Sequence, residues 1–420
     1  MKKKSRPRRI NVRSVGCKLN QSEAEHILER FRDNGFVPAE KDCDLCVLNT
    51  CTVTEKADRK SRALLYKLRR ENPGAKILVT GCYATTDPEI IRHACSSSVI
   101  VPNAEKDRIV ELACASWFPD RDPAGDPGSI AGFSSRTRPF VKIQDGCDLR
   151  CSYCKVWMAR GPSKSVPSDR IVEQARILSR NGHPEMVLTG VNITDYRDGK
   201  LRLPGLLKKL LAERLPLRYR LGSLEPQRVD DELLEAVSDG SVCDHFHLFL
   251  QSGSDVLLKK MNRSYSVRCF ADAVGRLRRA RPDAGIGVDV IAGFPGETES
   301  SFRETSSLLR ELAVPFMHVF RYSDRQGTPA ASFAGKVDEP TRTLRSRELS
   351  RLQREQEYEF RSRFKGRILE IVVEAKRGLA SNYISVDLPG PLAKMKYRLV
   401  RVVVKGVTRT STLAEPVEKA

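Results

Sequence analysis

Three cysteines in one short loop constrain this chain more than any other feature of its sequence. Cys147, Cys151 and Cys154 have the spacing Cys-x3-Cys-x2-Cys and directly follow an apolar segment at residues 140–143. Soft thiolates at this spacing favour an iron–sulfur cluster, zinc or copper(I). Ordinary iron–sulfur clusters have four cysteine ligands, so a four-iron cluster held by three would keep one iron open for a substrate or cofactor. The alternatives are a zinc loop completed by a distant ligand and three unligated thiols.

Length and charge indicate several domains and a polyanionic partner. A chain of 420 residues is too long for one ordinary core, so about two to four domains are expected. The formal net charge of +20 and an isoelectric point near 9.6 favour nucleic acid as the partner. The basic stretch at residues 1–13 fits either a solvated tail or a phosphate-binding arm.

Cysteine usage and hydropathy indicate the compartment. No apolar run approaches the ~20 residues that a membrane helix needs, and no apolar segment of a secretory signal follows the basic N-terminus. Twelve cysteines in such a chain are expected to serve metal binding or redox chemistry rather than disulfides. The sequence therefore predicts a cytoplasmic protein.

Residues 8–118 alternate short apolar runs with helical patterns, which is typical of a parallel α/β sheet. Asn20 is the predicted N-cap of the first helix, with Glu23 in the first helical turn. Cysteines at 43, 46, 95 and 114 are expected to be core thiols, as are those at 243 and 269 further along. The predicted strands are 10–15, 45–48 and 76–80, and the predicted helices are 23–32 and 57–71.

A second set of three cysteines follows these predicted strands. Cys17, Cys51 and Cys82 each lie just after a strand, in the loop that leads to the next helix. The carboxyl ends of parallel strands meet at one edge of the sheet, where ligands of open α/β sheets gather. The three thiols are therefore expected to converge in space. Buried small side chains are the alternative for cysteines in such positions.

Residues 119–137 are rich in Pro, Gly, Ser and Arg and are predicted to be a linker. Six strand–helix units follow in residues 138–337, which predicts a partial (β/α)6 barrel. In such barrels the chemistry takes place at the carboxyl ends of the strands, where the loop with Cys147 also lies. The predicted strands are 140–143, 186–189, 219–221, 245–250, 287–291 and 317–320.

Polar and glycine-rich phrases fall at these strand ends and supply candidate cofactor contacts. Their alternative is ordinary turn chemistry, which favours the same residue types. Arg263 is a further candidate, because a guanidinium binds a carboxylate through two hydrogen bonds, although a surface arginine is equally compatible with the sequence. The strand-end candidates are Gly190, Asn192, Ser223, Glu225, Gln251 and Gly293.

The C-terminal part changes character. Residues 338–364 read as one charged helix, predicted to be a solvated connection. Residues 365–410 contain short strands separated by Gly and Pro, which predicts a small β-barrel of a kind often used on nucleic acid. A basic surface with no role in RNA binding is the alternative. The basic and aromatic residues of this part include Lys376, Arg377, Tyr383, Lys394, Lys396, Arg398 and Arg401.

The cysteine loop at 147–154 resembles the signature of radical S-adenosylmethionine (SAM) enzymes, and the whole arrangement resembles the radical SAM methylthiotransferases. In that family an N-terminal three-cysteine domain precedes a radical SAM barrel and an RNA-binding barrel called TRAM. The phrases at 15–20, 49–54 and 80–84 resemble the N-terminal motif of the family. The resemblance is greatest to the branch that acts on threonylcarbamoyladenosine, beside the anticodon of tRNA. The phrases similar to that branch are 50–54 with 56–61, 223–226, 245–247 with 251–254, and 322–323 with 327–328.

Two departures from the family pattern bear on the pocket. Residues 155–158 replace a stretch that is usually apolar with Pro and Tyr, and Phe249 stands where a small residue is common. Neither change removes a cysteine.

The resemblance implies a cofactor set and a reaction. Cys147, Cys151 and Cys154 would hold the [4Fe-4S] cluster that binds SAM, and Cys17, Cys51 and Cys82 would hold a second [4Fe-4S] cluster. The implied reaction is methylthiolation of C2 of the tRNA nucleoside, with an unidentified electron donor and sulfur source as further partners. Alternative substrates are isopentenyladenosine in tRNA and a ribosomal-protein residue. A non-catalytic iron–sulfur protein that binds RNA is the alternative from another class.

Overall fold

The computed structural model describes residues 7–118, 136–388, 390, 395 and 397–417. Most of the predicted linker, 119–137, thus lies outside the described residues, as do Lys394 and Lys396. The chain divides into two compact units, each considered by itself below. Among the described residues, the first unit holds 7–118, 145–148 and 154–163, and the second holds 136–144, 149–153 and those from 164 onward.

The first unit is built on a parallel sheet of five strands in the order β2-β1-β3-β4-β5. Its central strand β3 is buried along its whole length, because helices cover both faces of the sheet. The strands are β1 (Arg8–Ser14), β2 (Phe36–Pro38), β3 (Leu45–Thr50), β4 (Lys76–Gly81) and β5 (Val99–Val101). The helices are α1 (Lys18–Asp33), α2 (Glu55–Glu71), α3 (Cys82–Thr86), α4 (Pro88–Ala94), α5 (Ile109–Trp117) and α6 (Val156–Arg160), with a 3-10 turn at Asn103–Arg108.

The structure confirms the predicted parallel sheet but not the predicted start of its first helix. Helix α1 begins at Lys18 behind Cys17, so the assignment of Asn20 as its N-cap is wrong. The Asn20 amide instead donates to the carbonyls of Val15 and Thr50, at 2.9 and 2.8 Å. Its side chain therefore joins the ends of β1 and β3 rather than capping a helix.

The second unit contains the predicted partial barrel. Its parallel strands form one sheet in the order β12-β9-β6 and another in the order β13-β14-β15-β16. The strands are β6 (Phe140–Lys142), β7 (Gln144–Asp145), β8 (Lys164–Ser165), β9 (Glu185–Thr189), β10 (Arg197–Asp198), β11 (Leu201–Arg202), β12 (Arg218–Leu221), β13 (Ser223–Leu224), β14 (His245–Gln251), β15 (Gly285–Ala292) and β16 (Phe316–Arg321). The helices are α7 (Ser168–Arg180), α8 (Leu203–Ala212), α9 (Asp231–Val237), α10 (Asp255–Lys260), α11 (Val267–Ala280) and α12 (Glu299–Glu311), with 3-10 turns at Ile193–Asp195, Pro226–Arg228 and Pro329–Ser332.

A long helix and a closed β-barrel complete the second unit. The helix is α13 (Glu339–Ser362), and the strand order of the barrel is β17-β18-β19-β21-β20, which agrees with the predicted TRAM-type architecture. The last strand lies beyond residue 410, where the sequence-based boundary ended. None of the helices in the described residues is both long and apolar enough to span a bilayer. The barrel strands are β17 (Ile368–Glu374), β18 (Arg377–Ala380), β19 (Ser385–Asp387), β20 (Leu399–Val407) and β21 (Thr412–Pro416).

Helix α13 is not the solvated connection that its charge predicted. Leu349, Leu352 and Phe360 are buried along one side of the helix, and Phe360 and Phe364 belong to the core of the β-barrel. These apolar residues have helical spacing, but the many charged residues between them made the apolar face of the helix difficult to recognise in the sequence. The helix is thus a packed element of the second unit.

A buried ion cluster joins the partial barrel to the C-terminal barrel. Glu185 at the start of β9 is fully buried and accepts from Arg218 at 2.6 Å and from Arg220 at 2.7 Å. Arg138 lies 3.3 Å from the same carboxylate. Arg218 and Arg220 also donate to the carbonyls of residues 379–381 in the C-terminal barrel, at 2.8–3.0 Å. One carboxylate therefore binds all three arginines, two of which hold two domains of this unit together.

Replacing Glu185 by Gln is expected to leave Arg218 and Arg220 without their counterion, while Arg138 keeps Glu374 at 2.7 Å. Breaking a buried ion pair by removing one partner costs about 3–5 kcal/mol, so a loss of that order is expected in urea unfolding followed by circular dichroism. Burial would raise the pKa of Glu185, but Arg220, Arg218 and Arg138 outweigh it and hold that pKa below its ordinary value of 4.5. The stabilisation is therefore complete above pH 4.5, and the gap between wild type and variant narrows as the pH falls below that value.

The matched control is Glu213→Gln, which removes the surface partner of Arg176 and is expected to leave the unfolding transition in place. Equal stability of Glu185→Gln and wild type at pH 7 would contradict the role of the cluster.

Candidate active site

The first unit brings its three predicted cysteines to one edge of the sheet. Cys17 follows β1, Cys51 follows β3 directly, and Cys82 is the first residue after β4. Cys51 and Cys82 are buried and Cys17 is exposed. The three thiols are close enough to interact electrostatically. Negative charge on Cys17 or Cys82 would raise the pKa of Cys51, and negative charge on Cys82 would raise the pKa of Cys17. The convergence expected from the parallel topology is therefore present.

Glycine conformation allows the strand ends to approach so closely. Gly16 has a φ of +109°, and a Cβ at this position would lie 2.5 Å from the Cys51 sulfur. Gly81 has a φ of +96°, and its Cβ would lie 2.3 Å from the Thr50 carbonyl oxygen. Only glycine adopts these angles readily and leaves this space beside the thiols.

The thiol of Cys51 is buried so deeply that it loses its proton only when a cation binds it. Burial, together with charge on Cys17, raises the pKa of Cys51 to about 12. A buried thiol of this kind becomes a thiolate when a metal ion or cluster binds it, because the bound cation replaces the proton. Asn103 donates an amide hydrogen towards the Cys82 sulfur at 3.7 Å.

Two buried cations lie next to these thiols. Arg160 donates to both oxygens of Glu23, at 2.8 and 3.1 Å, and to the Asn20 side-chain oxygen at 2.7 Å. Lys106 binds the same carboxylate at 2.7 Å. Burial opposes the charge on Arg160, but Cys82 and Glu23 outweigh it and raise the pKa of the guanidinium. Burial lowers the pKa of Lys106.

The donor set fits a multinuclear cluster better than a single zinc ion. Sulfurs bound about 2.3 Å from a tetrahedral zinc lie about 3.8 Å apart. In the described part of the chain, the sulfurs of Cys17, Cys51 and Cys82 do not all lie within 4.8 Å of one another. Three soft donors at wider spacing, with cations beside them, suit an iron–sulfur cluster whose sulfides spread its ligands apart.

The loop with Cys147 and Cys154 is fixed in the first unit by backbone contacts. The amide of Cys147 donates to the Gly161 carbonyl at 3.1 Å. Gly146 has a φ of +70°, and a Cβ there would lie 2.0 Å from the Pro162 carbonyl oxygen. Lys155, one of the departures from the family pattern, is buried and pairs with Asp87 at 2.7 Å. The lysine thus has a structural partner within the same unit.

Cys151 belongs to the second unit and has a charged partner there. Its buried sulfur accepts from Arg263 at 3.0 Å, and Arg263 also donates to Glu225 at 2.5 Å. Burial raises the pKa of Glu225, and Arg263 partly offsets that rise. Two predicted site residues therefore lie together next to a predicted cluster ligand. Their charges neutralise each other, and Arg263 binds the Glu225 carboxylate through one hydrogen bond, while another of its nitrogens donates to the Cys151 sulfur.

The other strand-end candidates differ in what surrounds them. Asn192 is buried, and its side chain contacts Thr194 and Asp195 within its own turn, at 2.5 and 2.9 Å. A Cβ on Gly190 would lie 2.8 Å from Gln144, and one on Gly293 would lie 2.1 Å from the Arg342 side chain, so both glycines accommodate protein atoms. Gln251 has a φ of +65° at an irregularity that ends β14, and Ser223 is half-buried on β13.

Sequence reasoning missed the two buried cations of the first unit. Arg160 follows the cysteine loop but has no metal-binding signature in the sequence, and Lys106 belongs to no recognisable motif. The expected core thiols are confirmed at Cys43, Cys46 and Cys95, which pack in one hydrophobic cluster. Cys114 and Cys243 are also buried, and Cys269 is half-buried.

Comparison with known proteins agrees with this organisation. The family described as the radical SAM superfamily matches residues 141–309, and the one described as uncharacterized protein family UPF0004 matches residues 9–101. The threonylcarbamoyladenosine tRNA methylthiotransferase MtaB of Aquifex aeolicus (strain VF5) is 34% identical over 94% of this chain and 100% of its own length. The tRNA-2-methylthio-N(6)-dimethylallyladenosine synthase of Sphingopyxis alaskensis (strain DSM 13593 / LMG 18877 / RB2256) is 34% identical over 89% of this chain and 88% of its own.

A solved structure shares the fold. The radical SAM methyltransferase TsrM from Kitasatospora setae, with cobalamin and a [4Fe-4S] cluster bound, has a TM-score of 0.59 at 17% identity and covers 77% of each chain. The radical SAM match implies SAM and a [4Fe-4S] cluster as cofactors. Together with full-length relatives at this level of identity, it shows that the chain belongs to the radical SAM methylthiotransferase family.

Proposed function

We propose that this enzyme methylthiolates C2 of threonylcarbamoyladenosine next to the anticodon of tRNA, using SAM and two [4Fe-4S] clusters. The observation that carries the proposal is the convergence of Cys17, Cys51 and Cys82 at one sheet edge, in addition to the loop with Cys147, Cys151 and Cys154. A radical SAM enzyme that only cleaves SAM needs one cluster. A second three-thiolate set gives the chain a place to hold the sulfur that is transferred.

The cofactors supply the radical chemistry that replaces an aromatic C–H bond by C–S–CH3 and that no protein side chain can perform. The chain holds and adjusts them. The hydrogen bond from Arg263 to the Cys151 sulfur stabilises negative charge there, and Glu225 keeps the guanidinium in place. Hydrogen bonds to ligand sulfurs and nearby charges set the reduction potential of a cluster. Arg160 and Lys106 have the same role beside Cys82 and its partners.

The tRNA would be bound in part by the C-terminal barrel, from residue 365 onward. Lys376, Arg377, Arg398 and Arg401 are exposed, and the ring of Tyr397 is partly exposed beside them in sequence. Exposed cations attract phosphates, and an exposed aromatic ring can stack on an unpaired base.

Tyr383 has another role than the sequence suggested. It stacks on His245 with the ring centres 4.0 Å apart and thus packs inside the second unit.

In this account the N-terminal domain, 8–118, carries the auxiliary cluster, and residues 138–337 form the radical SAM domain, followed by the connecting helix at 338–364. An external reductant supplies the electron for SAM cleavage, and an external sulfur source reloads the auxiliary site after each turnover. The threonylcarbamoyl branch is supported by the phrases at 50–54 and 223–226 and by relatives of that name that align over nearly the whole chain.

Changing Cys51 to Ala is expected to separate the cleavage of SAM from the methylthiolation of the nucleoside. The variant should still form 5′-deoxyadenosine from SAM under reduction, because Cys147, Cys151 and Cys154 are intact. It should form no methylthiolated nucleoside, because the auxiliary site has lost a ligand. Anaerobically reconstituted protein with a tRNA substrate provides both readouts in one assay.

The matched control is Cys95→Ala, since Cys95 is a core thiol of the same domain and should retain both products. A Cys51→Ala enzyme with normal methylthiolation would contradict the auxiliary role of this cysteine set.

Deleting the gene is expected to remove the methylthio group from threonylcarbamoyladenosine and from no other tRNA nucleoside. Mass spectrometry of nucleosides from total tRNA, with and without the gene, measures this directly. The unmodified threonylcarbamoyl nucleoside should accumulate in the deletion strain, and a plasmid copy should reverse the change.

Loss of the methylthio group from isopentenyladenosine instead would assign the enzyme to the branch of the Sphingopyxis relative. An unchanged nucleoside profile would contradict a tRNA substrate altogether.

A further inference from the structure

Three neighbouring strands of the second unit place two histidines and one aspartate on the same sheet face. His247 lies on β14, Asp289 on β15 and His318 on β16, and Asp289 is paired with His318 in the parallel register. Side chains alternate between the two faces of a strand, so Leu248 and Val288 point to the opposite, buried face. The three polar side chains share their face with Phe249.

The three side chains meet at one oxygen atom. Asp289 Oδ1 lies 3.1 Å from His247 Nε2 and 3.1 Å from His318 Nδ1. The three potential ligand atoms all lie within 4.8 Å of one another. The two imidazole rings are 4.9 Å apart and inclined by 33°. No other group of three such side chains in the described residues is as compact.

The backbone makes space for this arrangement. Gly287 lies beside His247 in the register of β14 and β15. A Cβ on Gly287 would lie 2.7 Å from His247 Nδ1, closer than two such atoms can approach. A strand interior normally disfavours glycine, so its presence here follows from the close approach of the histidine ring.

The donor chemistry suits a cation at the common oxygen. One oxygen of the Asp289 carboxylate lies between two imidazoles, 3.1 Å from a nitrogen of each. A neutral imidazole donates a nitrogen lone pair to a metal as readily as it donates a proton to a carboxylate.

The group lies close to the proposed SAM machinery of the same unit. Phe249 is the register partner of Asp289, and the Arg263 guanidinium lies 5.6 Å from the Phe249 ring. Arg263 in turn contacts Cys151. On the other side of His247, the His245 ring is covered by Tyr383. The Phe249 ring thus lies between the group and Arg263, the partner of Cys151.

We infer that His247, Asp289 and His318 form a binding site for one divalent transition-metal ion, separate from both cysteine sets. Two imidazoles and a carboxylate are a donor set that suits iron(II), zinc or manganese(II) rather than an iron–sulfur cluster. Ligand atoms about 2.1 Å from a tetrahedral ion lie about 3.4 Å apart, so a small movement of the side chains converts the present arrangement into a coordinated one. Three protein ligands leave a further position for water or for an oxygen atom of a substrate.

The side chains tolerate the substitutions that test the site. His318 is 60% exposed and can be changed to Ala without opening a cavity, and Asp289→Asn keeps the shape of the side chain while removing its charge. The matched controls are His93→Ala and Asp272→Asn, which change exposed side chains on helices α4 and α11.

The probe is Mn²⁺, which avoids soft thiolates and therefore does not report on the cysteine sites. Cluster-loaded protein is first washed with a chelator under conditions that leave the cluster absorbance unchanged. It is then titrated with Mn²⁺, and the free ion is measured by its room-temperature electron paramagnetic resonance signal. We expect one saturable Mn²⁺ site per chain that Zn²⁺ displaces, because zinc binds such donors more tightly.

Loss of outer-shell partners alone costs about 10–100-fold in metal affinity, so loss of a ligand is expected to weaken Mn²⁺ binding at least about tenfold. Both Asp289→Asn and His318→Ala should show this loss, and both control variants should bind as the wild type does. Absence of a saturable site in the wild type, or equal binding by wild type and Asp289→Asn, would overturn the inference. His247, Asp289 and His318 would then form a hydrogen-bonded triad, with imidazole N–H groups donating to the Asp289 carboxylate instead of a metal ion binding all three.

Discussion

The convergence of loops at the carboxyl edge of a parallel sheet is the constraint on which the proposed auxiliary cluster depends. In the first unit, three strands deliver Cys17, Cys51 and Cys82 to one edge although the cysteines are far apart in sequence. The ends of β1 and β3 lie so close together that a side chain at position 16 would have no space beside Cys51. A different strand order or an antiparallel neighbour would separate these thiols. The proposed sulfur-transfer chemistry therefore rests on the topology of the sheet.

Buried charge is the second recurring element, and in each unit it is paired. Arg160 and Lys106 lie against Glu23 beside the thiols of the first unit, and Arg263 lies against Glu225 beside Cys151 in the second. An unpaired buried charge would be costly, so each cation has a carboxylate that keeps it in place. A cation fixed in this way remains close to a cysteine sulfur, where it would stabilise the thiolate form that the proposed clusters require.

Much of this organisation could be predicted from the sequence, because strand periodicity and loop position are local properties. The parallel sheet, the partial barrel and the C-terminal barrel follow from such patterns. The short strands β2 and β5 have too few residues to produce a pattern and were missed. Asn20 was misassigned because a cap and a cross-strand hydrogen bond use the same side chain, and only tertiary structure decides between them. The meeting of His247 with His318 depends on strand register, which the sequence alone does not specify.

Two incompletely ligated clusters are the central claim of the proposed function, and counting them is its most direct test. Mössbauer spectroscopy of anaerobically reconstituted, iron-57-loaded protein measures cluster type and number together. We expect two [4Fe-4S] clusters per chain in the wild type. One cluster should remain when Cys17, Cys51 and Cys82 are all changed to Ala, and one when Cys147, Cys151 and Cys154 are changed instead. A single cluster in the fully loaded wild type, or a cluster count unaffected by loss of the first set, would contradict that claim.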